Sequence, residues 1–412
     1  MNANVALVGV SGFGAVHYND ISRAADAGRL RIAAATIINP DEEAAKIAAL
    51  RARGTEIFGD AIKMFRAFAG KLDIVFLPVG IPLHAPLAIA AMRAGANVFV
   101  EKPLAATARE AEEIMAVERE TGKFTAVAFQ LMYQPPIHHI KRVIVNELGR
   151  VLRVKVLGLW PRGRSYYLRN NWAGKLRGAN GEWIYDSPAN NAFAHYLNLA
   201  FFFSGATEFE FANIVSQQAA LFRARGDIET FDTCFIRMRA ESGADLLFIA
   251  SHTPEAAFEP VVVVECERGS ARWTHSGYEI LRDGAAVETG ANTPWEAERD
   301  NCVNAVLRRL ADPSAFVCEA RHAAVLTRVV NAAHTTTPIA QVPQEFISTV
   351  PANPANPADP DTRVVWNGLD ALAQKCFAEH RLPTPEDFPF VPADIFDCPR
   401  KLIALVEGED AR

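Results

Sequence analysis

The sequence predicts an α/β fold whose N-terminal part is a doubly wound parallel sheet. Three observations predict it. A strand-like run, Val5–Val8, leads into the glycine-rich turn Gly9-Val10-Ser11-Gly12-Phe13-Gly14, and Ala15–Ala27 then carries a helical apolar pattern. Strands and helices go on alternating: Leu30–Ile38 strand, Asp41–Arg53 helix, Asp73–Val79 strand, and Pro86–Ala94 helix ending at Gly95. Such alternation builds a parallel sheet covered on both faces. Third, the apolar run Asn97-Val98-Phe99-Val100 closes on Glu101-Lys102-Pro103, which puts a cation at a strand's carboxyl end. In an open parallel sheet that edge is where ligands bind.

Strand, turn and helix come in the order of a dinucleotide fingerprint, which needs one glycine for the tight turn, one for close approach to the pyrophosphate and one for helix–strand packing. Gly9 and Gly14 fill the outer places, and Ser11 holds the middle one with Gly12 beside it. The Ser11 Cβ crowds the phosphates, while its hydroxyl can donate to a phosphate oxygen. Phe13 opens the helix whose N-terminus would take the pyrophosphate. Lys102 reads as a fixed catalytic lysine, Glu101 as the group that orients it, and Pro103 as the residue that fixes the chain's exit. Val79 and Pro82-Leu83-His84 end the preceding strand on the same edge and are expected to border a nicotinamide.

A second site is read in Tyr185–Gly205. Ser187 is a plausible N-cap, Pro188 suits the first helical position, and Gly205 suits a left-handed residue past the end. Asn191 and His195 are then four apart on one helix face. Asp186, just before, is expected as a cap, with supply of a carboxylate to His195 as the alternative.

The turn Gly9–Gly14 with His17 after it, the Pro82–His84 element, Gly95–Pro103 and the His195 segment together resemble the Gfo/Idh/MocA oxidoreductases, which include glucose-fructose oxidoreductase and inositol dehydrogenase. The resemblance covers most of the first 340 residues. It implies a Rossmann domain over residues 1–124, a substrate and oligomerisation α/β domain over 125–345 with an open, mainly antiparallel sheet, and a C-terminal extension, 346–412, packed back on the domains. It also implies reversible hydride transfer between nicotinamide C4 and a secondary alcohol carbon of a sugar, polyol or sugar derivative. Lys102 would stabilise charge on the reacting oxygen, and His195 or Lys102 would move the proton. The family usually places an Asp four residues before the His. Here Asn191 stands there, so His195 is expected to be a weaker base, and Asn191 either orients the ring or holds a substrate hydroxyl.

The cofactor set is thus Gly9, Ser11, Gly12, Phe13, Gly14, Asn39, Val79, Pro82, His84, Glu101, Lys102 and Gln130. NAD and NADP both stay open. The second strand ends in Thr36-Ile37-Ile38-Asn39, with neither the acid that favours NAD nor the arginine that favours NADP. Asn39 can bond a ribose hydroxyl neutrally, and Asp41 reads as a cap in the first helical turn. The substrate set is Arg164, Trp172, Asp186, Asn190, Asn191 and His195. The loop Trp160–Trp172, with Arg162, Arg164, Tyr166, Tyr167, Arg169 and Asn171, offers aromatic faces and guanidinium forks suited to a sugar or sugar acid. Gln130 and Tyr133, after the strand Phe124–Phe129, are further candidates to line the cleft.

Bulk properties narrow the class. A chain of 412 residues with a formal net charge of −6 and no basic stripe argues against nucleic acid. No apolar run approaches the ~20 residues that span a bilayer, and the first residues read as a strand instead of a signal peptide. Cys234, Cys266, Cys302, Cys318, Cys376 and Cys398 lack Cys-x-x-Cys spacing, which suggests reduced thiols in a cytoplasmic protein. No metal site is expected. Glu229–Ile236, Leu246–Ser251 and Pro260–Cys266 read as strands of the second sheet, whose flat face would suit a homodimer or homotetramer. Val350–Pro360 reads as an extended strap, Asn367–Glu379 as a terminal helix, and Phe388-Pro389-Phe390 as a packing tail. Two other classes stay open: a glycoside-cleaving enzyme that retains its nicotinamide, and a non-catalytic nucleotide sensor.

Overall fold

A computed structural model describes residues 3–353, 355, 356, 358–391, 400 and 401. Cys398 and most of the chain beyond Val391 lie outside the described residues. The chain forms two compact units, Met1–Gln134 with Thr293–Ala324, and Pro135–Asn292 with Val325–Arg412.

In the first unit the elements run β1 (Ala3–Val8), α1 (Gly14–Asp26), β2 (Leu30–Thr36), α2 (Ala44–Ala52), β3 (Glu56–Phe58), α3 (Ala61–Ala67), β4 (Ile74–Leu77), α4 (His84–Arg93), β5 (Asn97–Val100), α5 (Ala108–Thr121) and β6 (Thr125–Val127). The six strands pair in parallel in the order β3-β2-β1-β4-β5-β6. The strand order reverses between β1 and β4, which opens a crevice at their carboxyl ends. Every residue of β4 is buried, as a strand covered on both faces requires. The three-residue β3 and seven-residue α3 are too short to show a period and were not expected. The helix after β2 starts at Ala44, so Asp41 lies in the turn before it and caps nothing.

The first unit differs from the expected span of 1–124 in two ways. Its sheet gains β6, and it takes back the helix Trp295–Ala311. There Arg299 Nε pairs with Asp20 Oδ2 at 2.8 Å with both side chains buried, and Asn301 Nδ2 donates to Gln134 Oε1 at 3.1 Å. A return after more than 150 intervening residues leaves no local pattern to read.

The second unit holds α6 (Pro135–Val143), β7 (Val151–Leu159), α7 (Arg164–Leu168), α8 (Ala194–Ser204), β8 (Ile214–Arg223), β9 (Thr233–Ala240), β10 (Asp245–Ser251), β11 (Phe258–Cys266), β12 (Gly269–Thr274), β13 (Gly277–Arg282), β14 (Ala285–Gly290) and β15 (Ile339–Gln341). These strands form one mainly antiparallel sheet, order β14-β13-β12-β11-β7-β10-β9-β8-β15, with only β7–β10 and β8–β15 parallel. The strand expected from Glu229 begins at Thr233. Residues before it are held out of the sheet, the Glu229 and Thr230 amides bonding to the Gly174 carbonyl.

One face of this sheet takes α8. A Cβ on Gly158 of β7 would sit 2.5 Å from Phe193 Cε1, so only glycine lets that ring rest on the strand. On the opposite face Leu157, Leu159, Phe222, Phe235, Leu247 and Ile249 pack against Trp366, Leu369, Leu372, Cys376 and Val391 from the C-terminal segment. That segment adds a hairpin, β16 (Ile347–Pro351) with β17 (Thr362–Trp366), and the helix Leu369–Glu379. Phe388 and Phe390 close on Trp366 with ring centroids 5.4 and 5.7 Å away. The C-terminal segment thus lies back on the second sheet, as a packing extension was expected to, and the chain's own apolar tail buries this face.

The helix expected from Pro188 to Ser204 begins only at Ala194. Residues 188–193 form irregular turns in which Asn190 and Asn191 amides both donate to the Ser187 carbonyl. The Asn190 side chain donates back to the Ile184 and Tyr185 carbonyls, the local side-chain-to-backbone bonding that competes with a helix start. Ser187 is not its N-cap, and Gly205 is extended (φ −67, ψ 152) where a left-handed residue was expected. Gly205 is glycine for another reason, since a Cβ there would meet the Glu210 carbonyl oxygen at 1.8 Å. Its carbonyl and that of Phe202 accept from the fully buried Lys141 Nζ, at 2.6 Å each, which satisfies the helix end.

Candidate functional site

The candidate residues fall into two groups, one in each unit. In the first, Gly9 (φ +92) and Gly12 (φ +54) take backbone conformations that L side chains avoid. A Cβ on Gly14 would lie 2.9 Å from the Gly9 carbonyl oxygen, so α1 approaches β1 as closely as the third glycine of a fingerprint requires. Around Gly12 nothing lies within 4 Å of a Cβ, which leaves the turn's outer face bare. These features fit a dinucleotide pyrophosphate. Phe13 stands half-exposed at the mouth of the turn and meets the His17 ring edge-on at 5.9 Å.

Ser11 departs from expectation. Its hydroxyl donates to Glu43 Oε1 at 2.8 Å and accepts from Asn39 Nδ2 at 2.9 Å, so it is turned toward the end of β2 and away from a phosphate role. Asn39 also donates to Glu42 Oε2 at 2.8 Å. Glu43 pairs with Lys46 at 2.6 Å, and Lys46 Nζ reaches the Val10 carbonyl at 2.7 Å. Neither Glu42 nor Glu43 was singled out from sequence; they lie in the turn past the strand end where an acid is usually sought.

Lys102 follows β5, half-buried, on a cis peptide bond to Pro103. Beneath it the buried Glu101 accepts from the Lys102 backbone N–H at 3.1 Å and meets His17 Nε2 at 2.7 Å. Burial disfavours the Glu101 carboxylate, but the His17 hydrogen bond and the charges of His17, Lys102 and Arg299 outweigh it and hold the carboxyl at about 2. A permanent anion is thus fixed under the lysine.

His84 is placed differently from expectation. It is 1 % exposed, with Nδ1 2.7 Å from the Pro103 carbonyl and Nε2 3.0 Å from the Val79 carbonyl. A neutral imidazole donates to one of these two carbonyls, and the buried ring, enclosed between them, lies between the β4 and β5 loops instead of presenting itself to a ligand. Burial pushes its pKa below the usual histidine value. Val79 contributes that carbonyl, while Pro82 and Gln130 remain half-exposed. Tyr133 is corrected too: it is buried, and its hydroxyl donates to the Val127 carbonyl at 2.7 Å.

In the second unit the structure joins Asn191 to Asp186, with Nδ2 to Oδ1 at 2.8 Å. The other Asp186 oxygen accepts the Gly174 N–H at 2.7 Å, so this buried carboxylate braces two loops and caps no helix. Asn190 is buried and donates to the Ile184 and Tyr185 carbonyls, which spends its amide on backbone. His195 lies in the first turn of α8, half-buried, with Asn191 before the helix instead of one turn along it. In the Trp160–Trp172 loop, Arg162 and Arg169 stack on Tyr166 at 4.8 and 3.6 Å, and Arg169 also faces Trp172 at 5.4 Å. Arg164, in the first turn of α7, is exposed.

Sequence reading missed His252 and His334. Tyr167 Oη lies 3.1 Å from His252 Nδ1, and burial together with Arg162, Arg169 and Arg225 keeps that imidazole neutral. His334 stacks on Phe231 at 4.6 Å and Tyr185 at 5.0 Å, near Ser187 Oγ at 3.3 Å, and burial lowers its pKa to about 3. Tyr185 is held at φ 53, a conformation costly for a bulky residue. No local motif announces either histidine. Among the described residues, no group of three or more His, Cys, Asp or Glu could hold a metal ion, and no helix is long and apolar enough to cross a membrane.

Comparison with known proteins bears on the first unit most directly. Residues 3–129 match the family described as the oxidoreductase family with an NAD-binding Rossmann fold. The chain is 28 % identical over 167 residues to inositol 2-dehydrogenase 2 of Saccharopolyspora erythraea, covering 40 % of this chain and 47 % of that protein. It is 24 % identical over 334 residues to inositol 2-dehydrogenase of Serratia proteamaculans, covering 77 % and 90 %. With the first of these, as with several other inositol 2-dehydrogenases, the match spans about half the relative's length. The fold is similar to that of the WlbA dehydrogenase from Bordetella pertussis, solved with NADH and UDP-GlcNAcA, with a TM-score of 0.63, 22 % identity, and 81 % and 96 % of the two chains covered. It is likewise similar to levoglucosan dehydrogenase in complex with NADH, with a TM-score of 0.65, 17 % identity, and 81 % and 96 % covered. Residues 3–129 thus match the NAD-binding Rossmann domain of the Gfo/Idh/MocA oxidoreductase family, and the fold that continues from them is similar to that of the solved dehydrogenases.

Proposed function

We propose that this protein is a nicotinamide-dependent dehydrogenase acting on a secondary alcohol of a sugar, polyol or sugar derivative. The observation that carries the reading is Lys102, set at the carboxyl end of β5 on the buried His17–Glu101 pair within an NAD-binding domain. Bound nicotinamide supplies the hydride acceptor. Lys102 donates a hydrogen bond to the reacting oxygen and stabilises the charge that grows there. The hydroxyl proton goes to Lys102. Asn191, held by Asp186, is suited to bind a substrate hydroxyl rather than to charge the imidazole.

The loop of Arg162, Tyr166, Arg169 and Trp172 supports a substrate with C–H faces and an oxygen-rich rim. Among the described residues Arg162 Nε, His252 Nε2 and His334 Nδ1 are buried with no hydrogen-bond partner, which agrees with a polar ligand in this unit. The relatives named inositol 2-dehydrogenase and levoglucosan dehydrogenase support the same substrate class. Cys234, Cys266, Cys302, Cys318 and Cys376 are buried and form no disulfide among the described residues, which agrees with a reducing, cytoplasmic setting.

The test is NADH formation by the purified chain from NAD⁺ and a panel of myo-inositol, aldoses and uronic acids. Turnover with a panel member is expected, and Lys102→Ala should lower it by at least about a hundredfold while leaving NADH affinity within a few-fold. Equal turnover in the variant removes the assignment of Lys102. Tight NADH binding with no turnover on any member rejects the substrate class.

A further inference from the structure

We infer that Glu43, which lies outside the strand-end position where such an acid is expected, reads the adenosine ribose and makes the site select NAD over NADP. The inference rests on the nicotinamide reading above and concerns only the far end of that cofactor. In dinucleotide sites an acid at the end of the second strand accepts from the ribose hydroxyls, whereas NADP sites present a cation to the 2′-phosphate. Here the strand-end residue is Asn39, which can do either job poorly. Folding changes the assignment.

The turn between β2 and α2 carries Glu43 back to the glycine turn, where its Oε1 accepts from Ser11 Oγ at 2.8 Å. Asn39 completes the ring of contacts, donating to Ser11 Oγ at 2.9 Å and to Glu42 Oε2 at 2.8 Å. Ser11 replaces the glycine that a dinucleotide turn usually carries, and its side chain serves to dock Glu43 against the turn. The same network leaves two carboxylates beside the crevice at the carboxyl end of β2. Next to them Ile38 is 82 % exposed, an apolar surface that a purine ring can cover.

The cation of this network cannot take up a 2′-phosphate without breaking what it holds. Lys46 Nζ pairs with Glu43 Oε2 at 2.6 Å and donates to the Val10 carbonyl at 2.7 Å. Its hydrogen bond, with that of Ser11, also keeps the Glu43 carboxyl below its usual pKa, so it is ionised at neutral pH. A ribose diol donates to such a carboxylate, while a phosphate dianion placed against Glu42 and Glu43 is repelled by both.

The test is a titration of the full chain with NADH and with NADPH at fixed salt, following energy transfer from tryptophan to the dihydronicotinamide. The unaltered protein is expected to bind NADH at least about tenfold more tightly than NADPH, since tenfold is a modest share of one unscreened charge contact. Glu43→Gln should shrink that ratio at least about fivefold, by weakening NADH and tightening NADPH. Circular dichroism on the variant establishes that it is folded. Equal or tighter NADPH binding by the unaltered protein, or a ratio unmoved in Glu43→Gln, overturns the inference while leaving the dehydrogenase reading intact. Failure of both nucleotides to bind overturns the nicotinamide reading itself.

Discussion

His17 Nε2 lies 2.7 Å from Glu101 Oε1, and both side chains are buried beneath the backbone of Lys102. A residue from α1 and one from the end of β5 thereby fix a single anion under the candidate lysine. The bond links the glycine turn, which is continuous with α1, to the loop that carries the chemistry.

Glu101→Gln removes that anion while keeping its shape. Because the folded carboxyl is held at about 2, below its usual 4.5, its stabilisation is present above 4.5 and is lost as pH falls toward 2. The variant is expected to be about 2–3 kcal/mol less stable at neutral pH, with the gap narrowing below pH ~4.5. Urea unfolding at the two pH values measures it; a gap that does not change with pH excludes the carboxylate as its source.

Asn191→Asp restores the acid usual at that place in the family, but this structure sets it 2.8 Å from Asp186. Two carboxylates so close cannot both ionise freely, and the pair's pKa rises. A raised folded pKa means stability that is full at low pH and lost as pH rises. We expect the variant to be about 1–3 kcal/mol less stable than the parent at neutral pH and to recover on acidification. Thermal unfolding across the acid range checks the sign, and a variant as stable as the parent at neutral pH would show that Asp186 is not its neighbour.

His334→Phe should make the protein more acid-resistant. Burial holds the imidazole at about 3, so below the usual 6.5 the unfolded chain binds a proton that the folded chain refuses, and stability drains away as pH falls toward 3. Phe keeps the stacking on Phe231 and Tyr185 and has no proton to take. Between about pH 7 and about pH 5 the variant is expected to gain about 1–2 kcal/mol relative to the parent in denaturant midpoints. Parallel pH curves would contradict it.

Trp366→Ala tests the covered sheet face. Trp366 is fully buried among Phe222, Phe388 and Phe390, and its loss should cost about 3–5 kcal/mol in unfolding free energy. If the face were instead open to a partner, the same substitution would change the mass measured by light scattering at little cost to the isolated subunit.

What the sequence determined by itself was the Rossmann half and its ligand edge. Strand, glycine turn and helix are contiguous there, and period, glycine placement and the Glu101-Lys102-Pro103 junction are local signals that folding preserved. The mainly antiparallel second sheet follows from strand-like patterning together with the family resemblance, while the strand order came from the structure. Tertiary structure decided the rest. α8 starts only at Ala194, after turns in which the Asn190 side chain bonds back to the Ile184 and Tyr185 carbonyls, a contact that hydrophobic period does not record. His84 turned from a ligand contact into a loop fastener because two carbonyls from separate loops converge on its ring. Glu43, His252 and His334 joined their sites only through contacts with residues distant in sequence. Hydrogen bonds and ring stacks of that kind have no period and no spacing rule, so they exist only once the chain has folded.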